Sequence, residues 1–180
     1  MLGGGYANRT WFEEQSANDN PGTTHFRFTP ALVGRLSRVE GIVAVKSPAP
    51  DASAVADHLK QLRAAVRSGF SLGYSGDWNC LDALLAGGET WYSVLGGIFP
   101  KTCLALVRAA QGGDSAEARR LNELLQPIWH LFKAFSSLRV VYAIAKLKGL
   151  CAAEPPRPIL QLPEDAQKKI SDTLAALELE

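Results

Sequence analysis

The sequence predicts an α/β fold with parallel strands, and three observations support this prediction. The apolar run 42–46 lacks the polar alternation of a half-exposed strand, which is typical of a strand buried on both faces, and two further strand candidates follow it at 70–74 and 90–95. Each run is followed by a segment with apolar residues at helical spacing. Glycines separate most of these segments. Because strand and helix alternate, we expect parallel strands with right-handed crossovers, as in an open sheet or a segment of a barrel.

The first predicted strand lies between two helices. Thr29 and Pro30 supply an N-cap and a first-turn proline for a short helix over residues 31–39. The run 42–46 does not alternate and is therefore predicted as a buried strand. The helix predicted over residues 52–67 carries one apolar stripe, which is the pattern of a helix packed against a sheet.

The same strand-then-helix order occurs twice more. Residues 70–74 form the second predicted strand, and a helix over residues 80–86 follows it and ends at two glycines. Residues 90–95 form the third strand, which precedes a helix over residues 100–110 that begins with a proline. These elements complete three strand-helix units.

The two ends of the chain differ from this central region. The C-terminal part is predicted to be helical over residues 115–130 and 137–147 and again after Pro163, with a proline-rich linker at 155–158. Residues 1–20 carry no sustained period of 2 or 3.6, so we expect them to be poorly ordered.

Composition and charge narrow the classes of function. Nineteen basic and 18 acidic residues leave a formal charge of +1, which argues against nucleic acid or an anionic membrane as a partner. No apolar stretch approaches the ~20 residues of a transmembrane helix, and residues 1–20 lack a secretory pattern. The three widely spaced cysteines, Cys80, Cys103 and Cys151, suit a reducing compartment. We therefore expect a cytoplasmic protein that binds a small molecule or a second copy.

Lys46 is the candidate catalytic residue, because it ends the buried run 42–46. Burial disfavours a charged ammonium, so a lysine at the end of a buried strand can present a neutral, nucleophilic amine. Such an amine can attack a ketone and form a Schiff base. The alternative interpretation is a solvated lysine whose side chain extends from the strand end into water.

Several motifs occur in a recognisable order. They include Asp-Asn-Pro-Gly-Thr-Thr at 19–24 and, some twenty residues later, Ile-Val-Ala-Val-Lys at 42–46. Further matches are Phe28, residues 75–77, 86–88 and 93–94, and the segment 113–121. Together these residues resemble the C-terminal portion of the dihydrodipicolinate synthase and N-acetylneuraminate lyase family of class I aldolases.

The resemblance implies a partial (β/α)8 TIM barrel, namely its last three strand-helix units, followed by a helical extension. Residues 19–112 would form the barrel part and residues 113–180 the C-terminal helical region. Residues 1–18 would be a poorly ordered segment outside the family sequence. A full barrel needs about 250 residues, so we expect a truncated form whose open interior is lined by Val43, Val45 and Val94. Its unpaired sheet edges predict self-association into a homo-oligomer.

The resemblance also implies the chemistry. The Lys46 amine would condense with pyruvate or another 2-oxo acid, and the protonated imine would serve as an electron sink for lyase chemistry. Gly22, Thr23 and Thr24 would lie near the substrate carboxylate or hydroxyls, and the backbone carbonyl of Tyr92 would line the same site. We expect no metal and no cofactor.

Two positions depart from the family pattern. Asn18 occupies the position of the family's catalytic tyrosine, and an amide is not a useful general acid or base. Thr23 stands where dihydrodipicolinate synthases place an arginine, which favours a related 2-oxo acid aldolase or dehydratase. The alternative to an active lyase is therefore a catalytically inactive remnant that binds or assembles only. Asp77 is expected to be a helix N-cap, because an Asp after a Gly is commonly one, and the alternative is a residue that shapes the site.

Overall fold

Four parallel strands form one sheet in the order β1-β2-β3-β4. The structure is a computed structural model, and it describes residues 14–180. The strands are β1 (Gln15–Asn18), β2 (Ile42–Pro48), β3 (Ser71–Ser75) and β4 (Thr90–Trp91). The predicted α/β fold with parallel strands is therefore confirmed.

Helices follow each strand and fill the C-terminal part. They are α1 (Pro21–Thr24), α2 (Pro30–Leu36), α3 (Ala52–Ala65), α4 (Cys80–Leu85), α5 (Pro100–Gln111), α6 (Ser115–Leu124), α7 (Gln126–Phe135), α8 (Ser137–Leu147) and α9 (Glu164–Ala175). Thr29 caps α2 as expected, because its hydroxyl accepts a hydrogen bond from the Leu32 N–H at 3.2 Å. Short 3-10 turns at Asp77–Asn79 and Leu95–Gly97 lead into α4 and towards α5.

Strand β1 is the main difference from the sequence prediction. Residues 15–18 were expected to be poorly ordered, but they pair with β2 in parallel, so that prediction is wrong for these four residues. Three of them are polar and exposed and Ala17 is partly buried, which suits an edge strand, since an edge strand needs no apolar run. The sheet thus has four strands rather than three. Residues 1–13, also predicted to be poorly ordered, lie outside the described residues.

Two other elements are shorter than predicted. Strand β4 ends at Trp91 rather than at residue 95, because the N–H groups of Val94 and Leu95 donate to the Asp77 carboxylate and not to a neighbouring strand. The helix predicted over residues 115–130 is divided at Leu125 into α6 and α7. Pro127 lies in the first turn of α7, where its missing N–H is tolerated.

The apolar residues form two clusters. The sheet cluster packs β2 and β3 against α2, α3 and α4, and its centre includes Val45, Phe70 and Leu72. The helical cluster joins α4 to α9 around Trp129. Trp91 of β4 is partly buried against both clusters. The C-terminal helices therefore have an apolar core of their own.

The two faces of the sheet have different roles. Val45 is fully buried in the sheet cluster, so it faces the helices and does not line an open interior as predicted. Val43 is partly buried and lies where the β1–β2 register shifts, between the pairs Gln15–Ile42 and Ser16–Ala44. Val94 is exposed beyond the end of β4. The opposite face of β2 carries Lys46, and this face is called the open face below.

None of the helices in residues 14–180 combines the length and the apolar character that crossing a bilayer requires.

Candidate active site

Lys46 lies at the centre of a row of residues that crosses the open face. Its register partners are Asn18 on β1 and Gly73 on β3, and Gly73 is in turn paired with Thr90 on β4. Residues in register on parallel strands project from the same face of a sheet. The Lys46 side chain is partly buried, and none of the ion pairs within residues 14–180 involves it.

The side chain of Tyr92 lies on the same face as Lys46. The Lys46 Nζ is 5.9 Å from the centroid of the Tyr92 ring, within the range of a cation–π contact. The Tyr92 N–H donates to the Tyr74 carbonyl at 2.8 Å, which continues the β3–β4 pairing by one residue. The ring passes over Gly73, where an added Cβ would come within 2.5 Å of the Tyr92 Cε2.

The turn after β1 contains the three other predicted site residues. Gly22, Thr23 and Thr24 form most of the single-turn helix α1, and all three are exposed. The Thr24 hydroxyl lies 3.0 and 3.1 Å from the carbonyl oxygens of Asn20 and Phe26, and it donates its single proton to one of them, which ties the turn together. This turn begins three residues after Asn18, at the carboxyl end of β1, and the Asp19 N–H donates to the Lys46 carbonyl at 2.8 Å. The turn and Lys46 thus share one edge of the sheet.

Asp77 connects the ends of β3 and β4. Its buried carboxylate accepts hydrogen bonds from Trp91 Nε1, the Ser93 hydroxyl and the N–H groups of Val94 and Leu95, at 2.9 to 3.3 Å. Burial raises the pKa of Asp77, and these hydrogen bonds oppose the increase. No side-chain cap bond is formed at the start of the Asp77–Asn79 turn or of α4, so the N-cap prediction is wrong. Asp77 instead positions the loop that follows Tyr92.

A second polar pair lies on the helix face of β3. The Tyr74 hydroxyl and His58 Nδ1 are 3.1 Å apart. Burial raises the pKa of Tyr74 to about 12. Burial and the nearby Arg27 lower the pKa of His58, while Asp19 opposes that change. Tyr74 points away from Lys46, because neighbouring side chains along a strand face opposite sides of the sheet.

Among the described residues, the other nucleophiles and the potential metal ligands form no comparable candidate site. Burial raises the pKa of Cys103 to about 11 and raises the pKa of Cys80 as well, so neither thiol supplies a thiolate near neutral pH. Within residues 14–180, His, Cys, Asp and Glu side chains form no group of three that could hold a metal ion. The open face therefore offers one amine, one phenol and several hydroxyl or amide groups, a set suited to carbonyl chemistry.

Comparison with known proteins identifies the family. The profile of the Dihydrodipicolinate synthetase family matches residues 18–177. The chain belongs to this family. A 4-hydroxy-tetrahydrodipicolinate synthase from Alcanivorax borkumensis is 33% identical over 156 residues, which are 86% of this chain and 51% of that protein. The corresponding enzyme of Methylococcus capsulatus is 35% identical over 129 residues, which are 71% of this chain and 43% of that protein.

Solved structures of dihydrodipicolinate synthases agree with this fold. The enzyme from Agrobacterium tumefaciens has a TM-score of 0.88 and 45% identity, and the match covers 92% of this chain and 56% of that one. The Thermotoga maritima enzyme has a TM-score of 0.83 at 22% identity and supports the fold alone. The predicted partial (β/α)8 barrel is confirmed, and the chain spans about half the length of the curated relatives that it matches.

Two features of this candidate site were missed by sequence reasoning. Gly73 is a register partner of Lys46 and admits the Tyr92 ring, but a glycine within a strand gives no sequence signal for such a contact. The hydrogen bonds that Asp77 accepts from the β4 loop connect residues 14 to 18 positions apart. The spacing of Ser-Gly-Asp before a helix indicates a cap instead, which is why the cap was predicted.

Proposed function

We propose that the chain is a lyase of the class I aldolase type that forms a Schiff base between Lys46 and pyruvate or another 2-oxo acid. The observation that carries this proposal is the position of Lys46. Its amine lies on the open face without an ion-pair partner in the described part of the chain, in register with Asn18 and Gly73. Membership in a family whose matched relatives are synthases supports the same reading.

In this proposal the other predicted residues bind the substrate. The turn of Gly22, Thr23 and Thr24 would receive the carboxylate or hydroxyls, since it lies at the carboxyl end of β1, one strand away from Lys46. The Tyr92 carbonyl would line the site from β4. The carboxyl ends of the strands are where barrel enzymes place their active sites.

Trapping with borohydride tests Lys46 directly. The folded protein is incubated with pyruvate and sodium borohydride, weighed by intact-mass spectrometry and mapped by peptide sequencing. We expect one reduced adduct, located at Lys46. Lys46→Arg keeps the positive charge but cannot form an imine, so its adduct is expected to disappear. Lys60→Arg on the exposed side of α3 is the matched control and should be labelled like the wild type.

The alternative function is a catalytically inactive remnant that binds or assembles without turnover. Asn18 favours it, because this amide is paired with Lys46 where proton transfer would be needed. A folded wild-type protein that shows no pyruvate adduct at Lys46 would support the remnant and remove the lyase proposal.

We also propose that the chain assembles as a homo-oligomer through its sheet edge. β1 is an edge strand within residues 14–180, and four strands are half of the eight in a closed barrel. A second copy would supply four more parallel strands in the same order. Pairing of β1 of each copy with β4 of the other would cover both open faces. Each Lys46 site would then be enclosed by both copies.

A proline on the free edge of β1 tests this assembly. Gln15 and Asp19 donate their N–H groups to β2, so by alternation the Ser16 N–H points to the free edge. Ser16→Pro removes that donor while leaving the β1–β2 bonds in place. In sedimentation velocity, we expect wild type and the control Ser16→Ala to run as dimers and Ser16→Pro as a monomer. A wild type that stays monomeric at every concentration contradicts the assembly.

A cytoplasmic location completes the proposal. Cys80, Cys103 and Cys151 are free thiols, which suits a reducing compartment.

A further inference from the structure

The Tyr92 ring occupies space that only a glycine at position 73 leaves free. Gly73 is buried and lies beside Lys46 in the β2–β3 register. A Cβ at this position would come within 2.5 Å of the Tyr92 Cε2 and 3.0 Å of the Thr90 Cβ. The contact of 2.5 Å is shorter than real Cβ atoms show, so any other residue would displace the ring. The glycine therefore allows the phenol to approach the lysine across the intervening strand.

Hydrogen bonds at and next to Tyr92 also hold its ring in this position. The Tyr92 N–H donates to the Tyr74 carbonyl at 2.8 Å, so the start of the side chain is fixed to β3. One residue later, the Ser93 hydroxyl donates to the Asp77 carboxylate at 3.3 Å. With the chain fixed on both sides, the ring centroid lies 5.9 Å from the Lys46 Nζ.

Imine formation requires a group that transfers protons beside the amine. When an amine adds to a ketone, the oxygen must be protonated before it can leave as water. On the β1 side of Lys46 stands Asn18, whose amide cannot perform this transfer. On the β3 side the phenol of Tyr92 can both donate and accept a proton.

Resting on the proposed function above, we propose that Tyr92 is the proton-transfer residue of the Lys46 site. The neutral amine adds to the C2 carbonyl, and a proton moves from nitrogen to oxygen to give a carbinolamine. The C–O bond then breaks, and the hydroxyl takes the phenol proton and departs as water. A protonated imine and a phenolate remain. The phenolate then removes a proton from C3, which gives a neutral enamine and restores the phenol.

Tyr92→Phe tests this role with little change in shape. The rate of Lys46 labelling by pyruvate and cyanoborohydride is followed by intact mass, with folding checked by circular dichroism. Loss of a general acid–base group lowers a rate by about a hundredfold or more, so we expect a decrease of that size. Tyr74→Phe is the matched control, because its hydroxyl faces His58 on the other side of the same sheet, and its rate should equal that of the wild type.

A second variant separates chemistry from structure. Site-specific replacement of Tyr92 by 3-fluorotyrosine makes the phenol more acidic at almost constant shape. We expect the pH–rate profile of labelling to shift to lower pH. If Tyr92→Phe does not fold, this shift alone tests whether Tyr92 transfers the proton. An unshifted profile, or equal rates in Tyr92→Phe and Tyr74→Phe, would overturn the role of Tyr92. Absence of any Lys46 adduct in the wild type would instead overturn the Schiff-base function.

Discussion

Replacing Asp77 by alanine is expected to lower the free energy of unfolding by about 4 kcal/mol, because it leaves several buried donors without an acceptor. Asp77 is 3% exposed, and its carboxylate accepts hydrogen bonds from Trp91, Ser93, Val94 and Leu95. Asp77→Asn keeps one acceptor oxygen but turns an NH2 group towards the remaining donors, so it should lose about half as much. Urea unfolding at constant pH measures both values.

A nearby carboxylate provides the control for this prediction. Asp82 on α4 is five positions away, and its closest ion pair, with Arg119, has a long N···O distance of 3.9 Å. Asp82→Ala is expected to change the free energy of unfolding by about 0.5 kcal/mol or less. Equal losses in Asp77→Ala and Asp82→Ala would show that the hydrogen bonds to Asp77 do not stabilise the fold.

Trp129→Ala is expected to cost about 4 kcal/mol, the size of effect that follows removal of a large buried aromatic side chain. Trp129 is fully buried in the helical cluster. Its ring is 6.2 Å from Trp91 in an edge-on arrangement and 5.8 Å from Phe132. Its Nε1 also donates to the Asn122 side chain at 3.0 Å, so the substitution removes a hydrogen bond together with the packing.

Trp78→Ala is the matched control for this substitution. Trp78 is 36% exposed, so its removal creates less cavity, and a clearly smaller loss is expected. The unfolding midpoint in urea, followed by circular dichroism, compares the two variants. A loss in Trp78→Ala as large as that in Trp129→Ala would contradict the assignment of Trp129 to the centre of the helical cluster.

Sequence reasoning predicted the elements whose apolar patterns depend on burial. The run 42–46 and the stripe on α3 face the sheet cluster, and such patterns are visible in the sequence. Strand β1 was missed because three of its four residues are polar and exposed, so that it is defined by pairing with β2 and shows no apolar run. The short β4 was missed because a side chain, Asp77, takes the backbone donors that would have continued it.

The candidate site was predicted less completely than the fold. Lys46 was found from its place at the end of an apolar run, and its role in catalysis stays a prediction. The contact of Tyr92 with Lys46 depends on the register of three strands, which sets Gly73 between them. Register is a property of pairing in space, so local spacing along the chain does not encode it.

The separation of the two apolar clusters has a consequence for the strand beside Lys46. The helical cluster holds its residues without contacts from β1 or β2, and Trp91 packs against both clusters. Proteins open locally in cooperative units of unequal stability, and an edge with few buried contacts opens most easily. We therefore expect β1, a mostly exposed edge strand, to separate from β2 more readily than the helices unfold. Under the proposed function, activity would then depend on the fraction of molecules in which β1 is paired beside Lys46.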